Sequence, residues 1–239
     1  YLLGQGSNTL FADEGFDGAV ICTRMMGGVP RIEGERMTAP AGAGLTALCA
    51  MARDAGLTGL EFACGIPGSL GGALYMNAGA YGGEMKDVVE TVTCLTPEGT
   101  VETRTADELA FGYRTSVFEQ DGSCVLSATL RLAHGDKAAI RARMAELLSK
   151  RREKQPLEWP SAGSTFKRPR GAFAAALIEQ CGLKGLQVGG AAVSQKHSGF
   201  VVNLGGATCA DVIALTEQVI RVVKEKTGYT LEREIRVVK

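Results

Sequence analysis

Residues 65–84 read GIPGSLGGALYMNAGAYGGE, seven glycines in twenty residues around one proline and two tyrosines. A glycine lacks Cβ, so its main chain takes up positive φ and its N–H can approach a ligand without obstruction. Glycine at this density predicts a backbone brought close to a large ligand with anionic or planar parts.

On either side the chain alternates sheet and helix signals. Gly44–Ala55 carries Leu45, Leu48, Cys49 and Ala52 at the i, i+3, i+4, i+7 spacing of an amphipathic helix, with Gly56 placed to end it. Val88–Leu95 and Cys124–Leu132 are rich in β-branched and apolar residues and predict strands, as does Thr100–Thr103 after the turn Thr96-Pro97-Glu98-Gly99. Asp136–Glu153 returns to helical period through Ile140, Met144, Leu147 and Leu148. It ends in Lys150-Arg151-Arg152, cations that complement a helix C-terminus. Gln155–Ser161 (QPLEWPS), with two prolines and the only Trp, marks a boundary, dividing the chain into domains 1–154 and 155–239. Beyond it lie predicted helices Phe173–Cys181 and Asp211–Lys226 and predicted strands Phe200–Leu204 and Leu231–Val238. The mixture predicts an α+β fold and not a regular βαβ alternation. Tyr1-Leu2-Leu3 reads as the middle of a strand, so an N-terminal segment is expected to be missing from the chain.

Composition narrows the partners. The 239 residues carry 26 Lys plus Arg against 26 Asp plus Glu, so no global field draws the protein to nucleic acid or to an anionic membrane, and a charged ligand must be held locally. The chain has no apolar run long enough to span a bilayer and no secretory start, which makes the cytoplasm the expected compartment. Seven scattered cysteines without a CxxC, joined only by His134 and His197, read as buried reduced thiols, and no metal site is expected.

Gly4-Gln5-Gly6-Ser7-Asn8 is a second glycine turn. The third glycine of GxGxxG would fall on Thr9 and a strand-like segment follows, which excludes a Rossmann reading. Two readings remain: a tight β-turn, or a nest of N–H and hydroxyl donors around a pyrophosphate. Two phosphate-compatible loops together favour a dinucleotide.

GQGSN, LEFACGIPGSLGGALYMNAGAYGGE, FGYRTS, PSAGSTFKRP and LEREIRVV occur in that order along the chain. Together they resemble the UDP-N-acetylenolpyruvoylglucosamine reductase family, in its shorter subgroup. The resemblance implies an FAD-binding domain of the vanillyl-alcohol-oxidase (PCMH) type, followed by a smaller α+β substrate-binding domain. It implies noncovalent FAD, NADPH as hydride donor, and reduction of UDP-N-acetylglucosamine enolpyruvate to UDP-N-acetylmuramate in peptidoglycan precursor synthesis by a cytoplasmic monomer. Another FAD-dependent oxidoreductase on the same scaffold, or a nucleotide-binding piece without catalysis, are the alternatives.

The same resemblance assigns residues. Gly4, Gly6, Ser7 and Asn8, Gly65, Ile66, Pro67, Gly68 and Ser69, Gly71, Gly72 and Ala73, and Asn77, Ala78 and Gly79 are expected to bind the cofactor. Hydride added to the enolpyruvyl β-carbon leaves charge on the α-carbon and its carboxylate, which calls for a cation, an acid and a proton donor. Arg114 in GYRTS, a guanidinium suited to a carboxylate, is the expected cation. Ser164 is the expected proton donor. It needs neighbours that lower the cost of its alkoxide, and Lys167 is the expected source of positive charge, to Ser164 or to the substrate diphosphate. Glu234, in a segment whose alternation places Glu232, Glu234 and Arg236 on one face, is the expected acid, with Arg236 a substrate contact. Tyr81 is expected to contact substrate, although it and Tyr75 fit flavin or core equally. His197 reads as structural.

Overall fold

The four-residue period of Leu45, Leu48, Cys49 and Ala52 becomes α1 (Leu45–Ala55), which buries those four side chains to within 2% of full occlusion. Gly56 ends it in the left-handed conformation at φ 73°, its N–H returning to the carbonyls of Ala52 and Arg53. At roughly 1.5–3 kcal/mol for each fully buried leucine, this face holds the helix far more firmly than intrinsic propensity does.

The computed structural model describes residues 1–239 and divides into two units, residues 1–5 with 20–151 and residues 6–19 with 152–239. The first unit is built on an antiparallel five-stranded sheet in the order 101–105, 89–95, 124–131, 36–40, 31–33. In the strand Cys124–Arg131, Val125, Ala128 and Leu130 are all buried, although 125 and 128 differ by an odd number. A register shift against Val89–Leu95 between Val125 and Ser127 supplies the extra residue that turns both inward. Besides α1, this unit holds α2 (Leu70–Tyr75), α3 (Val117–Asp121) and α4 (Lys137–Lys154).

The short segment Ala41–Gly44 joins the sheet to α1 and α2 through main chain alone. Ala41 N–H donates to Leu126 O at 2.8 Å, while its carbonyl accepts from Gly71 N–H at 2.8 Å. Leu70 N–H donates to Ala43 O, and Leu45 N–H donates to Gly68 O. A Cβ on Gly42 would stand 2.4 Å from Thr23 O, so no larger residue fits there without movement.

Along α4 the buried stripe runs Ile140, Met144, Leu147 and then Arg151, which is only 6% exposed. The sequence reading of Arg151 as a helix-end cation is therefore corrected. Its guanidinium donates from Nε to Cys64 O at 3.0 Å and from Nη2 to Phe62 O at 3.5 Å, and lies 5.1 Å from the Tyr81 ring centre. Burial pushes its pKa down, as expected of a cation removed from water.

The second unit has an antiparallel sheet in the order 161–164, 200–203, 191–193, 187–188, with α5 (Ala174–Gln180) and α6 (Cys209–Thr227). The expected strand 231–238 is regular only over Arg236–Val238, which pairs in parallel with Thr9–Phe11. Before that, Lys167 N–H donates to Glu232 O and Glu234 N–H donates to Thr165 O, each at 2.8 Å, and Phe166 bridges Arg233. Residues 231–235 thus pair with one segment and residues 236–238 with another. Leu231, Ile235 and Val238 are the buried positions, so the expected alternation breaks at the changeover. No helix is long and apolar enough to cross a membrane.

α6 begins two residues before the sequence suggests, because Thr208 caps it. Thr208 Oγ accepts from Asp211 N–H at 3.0 Å, and Asp211 Oδ2 accepts from the N–H groups of Thr208 and Gly190. Asp13 takes the next two donors, Cys209 N–H at 2.6 Å and Ala210 N–H at 3.0 Å. The N–H bonds to Asp211 hold its carboxyl below the ordinary range. A depressed folded pKa contributes stability above the unfolded value, about 3.9, which is lost as pH falls through the folded one. Asp211→Asn should therefore lower the denaturation midpoint at pH 7 and shrink the loss of stability between about pH 5 and pH 2, measured by urea unfolding across that range.

Candidate active site

Three of the four non-glycine residues with positive φ lie in two neighbouring loops of the first unit: Asn77 (43°), Tyr81 (53°) and Arg114 (57°). For a tyrosine or an arginine this region costs about 1–2 kcal/mol, and such backbones persist where surrounding bonds over-determine them. The bonds are visible. Gly79-Ala80 pairs with Gly83-Glu84 to form a hairpin with Tyr81 at its tip. Gly112 and Thr115 pair across a turn whose central residues are Tyr113 and Arg114. Arg114 Nη2 donates to Gly79 O at 3.1 Å, and its guanidinium carbon lies 5.3 Å from the Tyr113 ring centre. Ser116, fully buried, donates its hydroxyl to Tyr75 O at 2.7 Å, which ties the FGYRTS turn to the end of α2.

The glycine cluster divides into two kinds. A Cβ at Gly65 would meet Arg151 and Leu148 at 2.9 Å, one at Gly71 would meet Ala41 Cβ at 2.9 Å, and ones at Gly79 and Gly83 would meet Glu84 and Phe62 at 2.8 Å. Four of the seven glycines therefore make room for the protein's own atoms. Gly72, by contrast, has only Ser69 Oγ at 3.5 Å in its Cβ direction and is exposed, and Gly82 faces open space. Gly4 belongs to the crowded kind, since its Cβ would stand 2.8 Å from Ser69 Oγ.

Several residues expected to touch a cofactor point into the core instead. Ser69 is buried and caps α2, and Ala73 and Ala78 are core residues. Asn77 has no exposed surface, and its amide is taken up within the chain. These four, with Gly71, shape the loop from beneath. Ile66, Pro67, Gly68, Gly72 and Gly79 form its more accessible side.

In the second unit three segments run side by side. Asn8 donates from Nδ2 to Glu234 O at 3.1 Å and accepts from Arg236 N–H at 3.0 Å. Glu234 N–H is held by Thr165 O, so the main chain of Glu234 is fixed on both sides. Ser164, next to Thr165, is exposed at the end of its strand, and its hydroxyl makes no hydrogen bond within the chain. Of its two expected targets, Lys167 does not have Ser164 as its partner in this structure. Its Nζ pairs with Glu232 Oε1 at 2.6 Å. The pairing of 167 with 232 and of 165 with 234 puts Lys167, Glu232 and Glu234 on one face. His197 is packed edge-on against Phe200 and accepts from Gly199 N–H, and burial lowers its pKa.

Residues 1–104 match the family described as FAD binding domain, and residues 155–238 match UDP-N-acetylenolpyruvoylglucosamine reductase, C-terminal domain. A UDP-N-acetylenolpyruvoylglucosamine reductase of Lachnoclostridium phytofermentans is 48% identical over 99% of this chain and 78% of its own length. The reductase of Lactiplantibacillus plantarum is 49% identical over the same shares. The chain belongs to the UDP-N-acetylenolpyruvoylglucosamine reductase family. The crystal structure of the reductase (MurB) from Thermus caldophilus superimposes with a TM-score of 0.85 at 37% identity, covering all of this chain and 85% of that one. The expected α+β architecture, an FAD-binding domain followed by a smaller C-terminal domain, stands.

For this family the residues present fit FAD. In the first unit the run Gly65–Gly68 is partly accessible and α2 presents bare backbone at Gly72. In the second unit, taken by itself, the N–H groups of Gly6 and Ser7 donate to no acceptor in the chain and are suited to a diphosphate. The two kinds of glycine give a direct test. Gly71→Ala should cost about 1–3 kcal/mol in chemical denaturation, because Ala41 is fixed by two main-chain bonds and cannot give way. Gly72→Ala should keep or raise stability by up to about 1 kcal/mol while lowering flavin occupancy, read from the visible absorbance per protein.

Proposed function

We infer that the chain catalyses the reaction of its family, reduction of UDP-N-acetylglucosamine enolpyruvate to UDP-N-acetylmuramate, a step of peptidoglycan precursor synthesis. It is a flavin-dependent oxidoreductase whose cofactor is FAD and whose hydride donor is NADPH. FAD, when bound, accepts hydride from NADPH and delivers it to the β-carbon of the enolpyruvyl group. The protein's part is to hold the carboxylate, stabilise the charge that develops on the α-carbon, and return a proton there.

Arg114 holds the substrate carboxylate. A guanidinium stays charged throughout and offers two parallel donors, and the turn at φ 57° with the Gly79 carbonyl bond fixes where it reaches. Ser164 gives the proton to the α-carbon from a hydroxyl that no internal bond consumes. Glu234 stabilises the enol as an acid, and Arg236 and Tyr81 contact the sugar nucleotide. Lys167 meets the diphosphate. Its ion pair with Glu232 is half-exposed, and such pairs contribute at most about 1 kcal/mol, so a dianion can displace Glu232. Gly4, Gly65–Gly68, Gly72 and Gly79 of the first unit would hold the cofactor. In this reading residues 1–154 form the FAD-binding domain and 155–239 the substrate domain of a cytoplasmic monomer that engages neither membrane nor nucleic acid. Balanced charge supports that last point.

The observation that carries this assignment is the clamp on Glu234, whose N–H and carbonyl are bound by Thr165 and Asn8, adjacent in backbone to an unspent Ser164 hydroxyl. Ser164→Ala should leave reduction of flavin by NADPH within about threefold and slow its reoxidation by the enolpyruvyl sugar nucleotide by about 10²–10⁴-fold, in stopped-flow absorbance. Equal slowing of both half-reactions would make Ser164 structural, and indifference of reduced flavin to the substrate would remove the functional reading itself.

A further inference from the structure

The geometry points to Asn77 as the residue that positions Arg114, through the main chain at one end of that arginine and through its guanidinium at the other. The inference rests on the reading of Arg114 as the carboxylate-binding group. Asn77 Nδ2 donates to Gly112 O at 2.9 Å and to Glu84 Oε2 at 2.7 Å, and Oδ1 accepts from Lys86 N–H at 3.0 Å. Both amide hydrogens are thus used, and the side chain is fully buried, so it contributes nothing to a ligand directly.

Each bond has a consequence for Arg114. Gly112 is the residue whose pairing with Thr115 closes the turn that carries Arg114, so the bond to Gly112 O anchors the base of that turn. Glu84 is the cross-strand partner of Gly79, whose carbonyl accepts from Arg114 Nη2. The bond to Glu84 therefore anchors the hairpin that holds the guanidinium. A Cβ at Gly79 would stand 2.8 Å from both Glu84 Cβ and Gly83 O, so the two strands of the hairpin are closely packed at this point. Asn suits the position because it tolerates φ 43° and offers two donors and an acceptor within one short side chain. Ser116, bound to Tyr75 O, is a separate tie between the turn and α2. Removing the Asn77 amide should therefore displace Arg114 and leave the turn attached.

The test uses the flavin-loaded enzyme with Asn77→Gly, which keeps the left-handed backbone, and Asn77→Asp, which keeps the shape and reverses one donor. Each is made alone and with Arg114→Ala. Flavin content, reduction by NADPH and reoxidation by the enolpyruvyl sugar nucleotide are followed by absorbance. The expected result is that reoxidation slows by at least about tenfold more than reduction does. On the Arg114→Ala background the same substitutions should add less than about threefold, because the residue they act through is already gone. Equal slowing of both half-reactions overturns the inference. So does a full further loss on the Arg114→Ala background, or loss of flavin or of folded protein from both variants. If Arg114→Ala alone reoxidises at the parent rate, the reading of Arg114 fails first; if it is slow and Asn77 has no selective effect, only the link between them fails.

Discussion

Everything in the first unit depends on how closely main chain can approach main chain at Ala41–Gly44. Sheet, α1 and α2 meet there through hydrogen bonds to Leu126, Gly68, Gly71 and Leu70, with no side chain between them. The constraint propagates. Because Gly71 must lie against Ala41, α2 is held by its N-terminal residues, which fixes the turn after it, and that turn carries Asn77 and the hairpin with Gly79. The junction lies within the core, with Ala41, Leu45 and Leu70 fully buried, so its amides are out of reach of water. Its stability comes from paired amides that would otherwise be buried without partners, a loss of about 1–3 kcal/mol each.

That junction explains what was legible in the sequence and what was not. Periodicity announced α1 and α4 because the buried face of a helix is written in the spacing of its own residues. Glycine density announced the loop, but a sequence records only that a Cβ is absent and not which atom takes the space. At Gly65, Gly71, Gly79 and Gly83 the occupant is the protein, whereas Gly72 and Gly82 leave the Cβ direction uncrowded. The side-chain partners of Asn77 were not legible for the same reason, since Glu84 and Gly112 lie 7 and 35 residues away. The family motifs suggest reacting residues by order along the chain. They could not say which member of a motif touches a ligand and which supports another member. The run of small residues Ala41-Gly42-Ala43-Gly44 was the available signal for the junction, and only its last member falls in the expected helix Gly44–Ala55.

Arg151 shows how a charge is kept inside such a loop. Burying a guanidinium is costly, and no carboxylate faces it. Two carbonyls and an aromatic face do the compensating, from Phe62, Cys64 and Tyr81. Those carbonyls belong to the residues that lead directly into Gly65-Ile66-Pro67-Gly68. The cation therefore sets the entry of the glycine run while reaching Tyr81 at the hairpin tip, and a lysine, with a single point of charge, could not do both. The same burial raises the Cys49 thiol to about 12 and the Cys64 thiol above its ordinary value, so neither is a nucleophile near neutral pH.

The second unit, in the proposed reading, faces a different problem, that of keeping the Ser164 hydroxyl unspent. A serine is a poor acid, and an internal hydrogen bond that consumed its proton would make it poorer; Ser164 has none. Glu234 is fixed through its main chain by Thr165 and Asn8. Lys167 is held by Glu232. Under the proposed role of Lys167, that pair is weak and solvent-screened, so replacing Glu232 by a diphosphate would exchange one anion for a more highly charged one. Glu232 would then be a placeholder that keeps the ammonium in place, so that binding substrate would order one side chain fewer and lose less rotamer entropy.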